Sequence, residues 1–330
     1  MDGINYAGIE VSCEKLLVCM KGNKSIISQN EYSNTKRGHT ALAKFLAREN
    51  RKVRVVMEAT GVYSVDLAIY LSEYPDIEVM VLNPLRSHHF AQVVLNRSKN
   101  DKVDAIMLLQ FAQRMEFKPF VASTDTMYAL RAIARKIASI NRQRTMQKNQ
   151  LHASSNTATS PKCVIHSAKV LIKTMDREIE KLTKEAMKLI EPDPDLHHKY
   201  DLLNTIPGIA KISAIQLIAE IGFYGGYIPP KSLVAMAGLD PCVFQSGKSV
   251  ERHKGISRRG NENLRRALYM PGMVAKQDKS NVAAFSNHLL AKGKKPKQVT
   301  CAVMRKLLHS ITGMFKNDEA WDGNKFFVMT

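Results

Sequence analysis

The sequence predicts an α/β plus α architecture: an α/β domain over residues 1–122, a long helical coiled coil over 123–200 and a mainly helical region over 201–330. Three observations carry this. Over the first 122 residues, short apolar runs of strand length alternate with helical patterns. From 125 to 190 apolar residues recur at spacings of three and four, without strand-like runs. Beyond residue 200 the apolar spacing stays helical while the charge climbs: residues 241–306 hold 15 Lys or Arg against 3 acidic residues.

The opening segments INYAGIEVS (4–12), KLLVCMK (15–21) and KSIISQNEY (24–32) read as three successive strands with turn residues between them. GHTALAKFLARE (38–49) follows as a helix and VRVVMEA (53–59) as a buried strand. VYSVDLAIYLSEY (62–74) has helical spacing, IEVMVLN (77–83) is a fifth strand, and Asn83-Pro84 ends it. DKVDAIMLL (101–109) opens another helix. The order βββαβαβα predicts an antiparallel meander continued by parallel strands with helices on the faces, the order of a ribonuclease-H-like fold. Further on, Leu130, Ile133, Ile137 and Ile140 form one seam; Ala168, Leu171, Met175, Ile179, Leu182, Ala186 and Leu189 form another. SSNTATSP (154–161) between them is a hairpin tip, so the helices pair antiparallel within one chain or between two. EPDPD (191–195) is a hinge, and LLNTIPGIAKISAIQLIAEIG (202–222) is helix, turn, helix. Such a turn is either a plain junction or a phosphate site at a helix N-terminus.

The net charge of +19 costs self-repulsion unless a polyanion neutralises it, which predicts a nucleic-acid partner and salt-sensitive binding. Five scattered cysteines without a CxxC pair exclude a disulfide framework or zinc site and fit a reducing cytoplasm. No apolar stretch is long enough to span a bilayer, and the N-terminus lacks the shape of a signal peptide.

Four acids draw attention. Glu10 lies in the middle of the first strand and interrupts its apolar run, and Glu58 ends the buried fourth. A carboxylate in such a place is costly unless paired or bound to a cation. Asp101 and Asp104, just after Arg97 and Lys99, are one helical turn apart and share a face. Taken alone, the aspartates read equally well as charges favourable to a helix N-terminus, and Glu58 as a structural cap. Taken together, strand, strand and helix acids form an all-oxygen set suited to Mg²⁺ or Mn²⁺ and to phosphodiester chemistry.

AGIEVS, MEATGVY, NPLRSHHFA and NDKVDA resemble, in order and spacing, the DEDD transposases of IS110-type insertion sequences, relatives of the Piv DNA invertases. The likeness continues through IPGIAKISA, AMAGLDP, QSGKSV and RRGNENLRRALYMPGMVA, and so covers nearly the whole chain. The resemblance implies a RuvC-like first domain, a coiled coil and a second transposase domain over residues 201–330. It implies a metal site at Glu10, Glu58, Asp101 and Asp104, although the family has Asp where this chain has Glu10. It implies a serine nucleophile at Ser246, where the residues alone leave Ser249 an equal candidate. It also implies a structured guide (bridge) RNA pairing with donor and target DNA, and a bacterial, nucleoid-associated location. Lys248, Arg252, Lys254, Arg258, Arg259, Arg265 and Arg266 are candidates for phosphate contacts, with a solvated basic face as the alternative. Tyr269 and Trp321 can stack on bases or pack.

The expected activity is RNA-guided DNA recombination through a phosphoserine intermediate, in a dimer that assembles to a tetramer. Two other readings stay open: a structure-specific metal nuclease or directly reading invertase, and a catalytically impaired nucleic-acid-binding protein.

Overall fold

The computed structural model describes residues 3–21, 27–61, 63–94, 100–246, 250–277 and 280–328; for 27, 243–246 and 250–254 the description is confined to the backbone. The chain folds as two compact units, Met1–Ala122 and Ser123–Thr330.

The first unit is a five-stranded mixed sheet in the order β3-β2-β1-β4-β5. β1 (Asn5–Val11), β2 (Lys15–Lys21) and β3 (Ile27–Ser33) form an antiparallel meander. After α1 (Lys36–Ala47), β4 (Val53–Glu58) returns parallel to β1. α2 (Val65–Ser72) then leads to β5 (Ile77–Leu82), parallel to β4. Strand alternation sorts the core into two layers. Ala7, Ile9, Val18, Val55, Met57 and Val79 meet Leu42, Leu46, Leu67 and Leu71 of α1 and α2. On the opposite face Val56, Met80 and Leu82 meet Met107, Leu108 and Phe111 of α4 (Asp101–Arg114). Between β5 and α4 lies α3 (Pro84–Val93), which the sequence pattern does not announce. The Asn83-Pro84 pair that ends β5 also starts this helix: Asn83 caps it by accepting from Leu85 N–H, and Pro84 fills its first turn. Glu10 sits next to the C-terminal end of β1 and not at the middle expected from the sequence.

The second unit opens with α5 (Asp125–Ser155) and α6 (Lys162–Ile190), packed antiparallel. Their shared core is Leu130 and Ala134 against Ala186 and Ile190, then Ile137 and Ile140 against Ile179. The expected seam weakens toward the tip: Leu171 is 43% exposed, and Met146, Val164 and Val170 are exposed with it. Asp193 caps α7 (Pro194–Asn204), so the EPDPD stretch serves as a helix start. α8 (Lys211–Ile221) follows the turn at Gly208, where φ is +84° and a Cβ would lie 2.7 Å from Pro271 O. That turn is a packed helix junction, with Ile206 and Ile209 buried beside it. Next come α9 (Pro230–Met236), a hairpin of β6 (Pro241–Ser246) and β7 (Val250–Ile256), and the short helices α10 (Glu262–Ala267) and α11 (Tyr269–Val274). The hairpin is not foreseen from the sequence, because VERHKGI shows no alternation of apolar residues. α12 (Asn281–Ala291), α13 (Pro296–Asn317) and α14 (Gly323–Phe326) complete the unit. α13 is its core helix, with Val303, Leu307, Leu308 and Ile311 fully buried. Among the described residues no helix is long and apolar enough to cross a membrane.

Candidate active site and nucleic-acid interface

The carboxylate site is built by the approach of α4 to β1. Gly8 is the point of contact: a Cβ there would lie 2.2 Å from Ala105 O and 2.3 Å from Leu109 N. Residues two apart on a strand share a face, so Glu10 follows Gly8 on the α4 side. β1 and β4 run parallel with Ile9 beside Met57, which sets Glu58 on the strand next to Glu10 and on the same face. One turn back from Ala105 and Leu108 lie Asp101 and Asp104, in the first turn of α4. Asn100 caps that turn by accepting from Val103 N–H at 2.9 Å.

Glu10 and Asp101 line one cavity of about 420 Å³ together with Ser12, Lys15, Glu31 and Lys102. Lys15 Nζ pairs with Glu31 at 2.7 Å, and this hydrogen bond and charge hold the ammonium above its ordinary range. Glu58 is engaged elsewhere: its Oε2 accepts from Ser87 Oγ at 2.6 Å, and Ser87 is buried in α3. The structure thus brings Glu10 to Asp101 and sets Glu58 and Asp104 on the same side of the sheet, but it does not close the four into a shell. Among the described residues no three His, Cys, Asp or Glu side chains stand close enough to hold a metal ion. In donor chemistry and backbone placement the set fits a hard divalent cation, with Glu58 held by Ser87. Ser87, Lys15 and Glu31 went unremarked in the sequence. Only Ser87 left a signal, one turn into a helix that starts at Asn83-Pro84.

In the second unit Ser246 is the last residue of β6 and pairs with Val250 across the hairpin. Arg252 and Lys254 lie on β7, and for these three the description is of the backbone alone. Lys248 and Ser249 lie outside the described residues, as do Arg97 and Lys99. The base of the hairpin forms one wall of a groove of about 820 Å³, whose lining includes Arg258, Arg265, Arg266 and Tyr269. Arg259 is exposed but does not line it. Arg266 pairs with Glu262 at 2.5 Å. Trp321 is a packing residue: its backbone N–H donates to Thr205 Oγ1 at 3.0 Å and its ring stands 5.3 Å from Phe326.

A buried carboxylate braces this wall. Glu220, 1% exposed, accepts from Arg135 Nε at 2.7 Å, Arg131 Nε at 3.1 Å and Asn261 Nδ2 at 2.7 Å. Burial pushes its carboxyl up, but the bonds from Arg135 and Asn261 and the two guanidinium charges outweigh burial and hold it below the usual range. Asn261 also caps α10 through its Oδ1, so the brace reaches the helix that carries Arg265 and Arg266. Glu220 is the one acid in the otherwise mostly apolar α8, and that was the available signal.

Comparisons with known proteins agree along the chain. The IS110-type DEDD model, described as "Transposase", matches residues 7–154, and one described as "Transposase IS116/IS110/IS902 family" matches residues 200–287. A pilin gene-inverting protein of Moraxella bovis is 27% identical over 322 residues, covering 96% of this chain and 97% of its own length. The pilin gene-inverting protein of Moraxella lacunata matches at the same identity and coverage. A transposase for insertion sequence element IS1328 of Yersinia enterocolitica is 26% identical over 218 residues, 58% of this chain and 64% of its own length. Sheet unit and basic unit alike thus fall under models of one family, and the chain belongs to the IS110 family of transposases.

Proposed function

We propose that the chain is an RNA-guided DNA recombinase that cuts and rejoins donor and target DNA through a phosphoserine intermediate at Ser246. The observation that carries the cutting site is the convergence of Glu10 and Asp101 on one cavity, with Glu58 and Asp104 on the same face of the sheet. The strand order β3-β2-β1-β4-β5, antiparallel then parallel, supports a ribonuclease-H-like, RuvC-type domain. Glu10, Glu58, Asp101 and Asp104 would hold a divalent cation, which supplies charge stabilisation at the scissile phosphate when bound. Ser246 Oγ attacks the phosphorus; an Oγ–P bond forms, a P–O bond to one DNA end breaks, and the proton leaving serine is taken up by the departing oxygen. The link conserves the phosphodiester's energy for rejoining. Guide RNA supplies target choice, and a dimer assembling to a tetramer holds the cut sites together, with the exposed apolar residues near the α5–α6 tip available for that contact.

The test is denaturing electrophoresis of labelled DNA incubated with protein, its copurifying RNA and Mg²⁺. A protein-linked band should form and vanish in Ser246→Ala, while that variant still binds RNA and DNA. A band that persists in Ser246→Ala, or follows Ser249, overturns the assignment.

A second reading has its own support. The two Moraxella relatives match 96% of the chain and are named as gene-inverting proteins. Inversion of a DNA segment by direct reading uses the same cutting site without a guide. Footprinting with RNA removed separates the two: a defined protected site favours the invertase, and sequence-indifferent, salt-sensitive binding favours guidance.

A further inference from the structure

We infer that the groove between the base of the β6–β7 hairpin, α10, α11 and α13 is a binding site for one strand of nucleic acid, with Tyr269 as a stacking platform. The inference goes beyond the recombinase reading, since it needs neither the carboxylates nor the serine.

The far wall carries the cations. Lys297 and Arg305 stand eight residues apart on α13, two turns along one face, with Cys301 between them. Lys294 precedes the helix. Opposite them stand Arg258 and Arg265. Among the described residues none of Arg258, Lys294, Lys297 and Arg305 has an ion-pair partner, and no acidic residue lines the groove. Like charges facing each other across a gap await a polyanion.

The floor distinguishes a single strand from a duplex. Ile256, Leu289, Met304 and Ala302 make it apolar, and Tyr269 is 48% exposed at its edge. A duplex turns its phosphates outward and hides its base faces, so an apolar floor gives it nothing. A single strand offers phosphates to the rim and base faces to the floor and the phenol ring.

The arginine wall is preorganised. Arg258 holds a left-handed backbone, φ +56°, with its N–H donating to Gly238 O at 3.0 Å. Arg265 Nη1 donates to Ala237 O at 2.8 Å, and Glu220 fixes Asn261 between the two. A strained non-glycine residue kept in place by its surroundings is the kind of feature that collects at ligand sites.

The experiment uses the full chain and four fluorescein-labelled 20-mers: oligo-dT, oligo-U, a mixed-sequence DNA strand and its duplex. Lys294→Glu with Lys297→Glu, both exposed, should weaken oligo-dT binding at least tenfold and lower the log–log salt slope by about 1.4, the loss of two phosphate contacts on a single strand. Tyr269→Leu should cost roughly 5- to 100-fold on the single strands and under twofold on the duplex, while Tyr269→Phe keeps affinity. The tighter of oligo-dT and oligo-U names the strand the groove takes. Single-strand binding within twofold of wild type in the double variant, with an unchanged melting curve, overturns the proposal. So does a duplex loss equal to the single-strand loss in Tyr269→Leu. Neither result bears on the covalent adduct of Ser246, so the two proposals fail separately.

Discussion

The two units divide the labour of charge. Residues 1–122 carry 16 Lys or Arg against 13 acidic residues, a net +3; residues 123–330 carry 33 against 17, a net +16. The near-neutral unit sets four of its acids at the meeting of two strands and a helix. Among the described residues the cationic unit holds one deeply buried acid, as a brace, and no acid lines its groove. An excess of charge grips a polymer without choosing a point on it, whereas a few acids fixed by a sheet act at one point. A protein that must hold a long anion and attack one of its bonds gains from assigning the two tasks to separate units, because within one unit each field would cancel the other.

That separation can be broken from either side. The largest effect belongs to the sheet. Asp101→Ala or Glu58→Ala should lower Mg²⁺-dependent DNA cutting on the order of 10³-fold, while the salt slope of DNA binding stays as in wild type. Cutting within a few-fold of wild type, measured by adduct yield, removes that acid from the site.

Next in size is the brace. Glu220→Ala strands Arg131 and Arg135, which should destabilise the second unit by about 3 kcal/mol, the low end for a buried pair because Arg135 is 43% exposed. Glu220 is depressed in the folded state, so its contribution is full above the unfolded carboxyl range near 4.5 and fades as pH falls through the lower folded value. Melting temperature against pH should therefore drop in acid for the wild type more than for Glu220→Gln. Parallel curves for the two remove Glu220 from the acid response.

The smallest effect tests the length of one side chain. Glu10→Asp should match or raise adduct yield if the shorter carboxylate suits the site better; a loss beyond about tenfold means that β1 and α4 are fitted to glutamate.

Much of the sheet unit was legible because β1, β2, β4 and β5 bury residues on both faces. KLLVCMK gives the bounds of β2 without error, and VRVVMEA misses the end of β4 by one residue. Where burial falls away, so does the signal. α3 has only Ser87 and Phe90 buried, and the hairpin strand VERHKGI has no apolar alternation. The shared face of Glu10, Glu58 and the two aspartates followed from period and topology. The bond from Ser87 to Glu58 did not, because it joins neighbours in space that nothing in their spacing relates. Lys297 and Arg305 were hidden likewise: KGKKPK is a charge run to the eye, and only the burial of Val303 and Leu307 fixes which face of α13 looks into the groove.

Gly8 carries no functional group, yet the working clearance of the sheet unit is set there. A methyl in place of its hydrogen would need at least 3.4 Å where 2.2 Å is available, so α4 would ride about 1 Å higher on the strand. Asp101 would rise with it while Glu10 stayed, and in the proposed site a displacement of that size should cost roughly 10²-fold in rate. The dimension that a machinist would hold to the finest tolerance is kept in this protein by an atom that is missing.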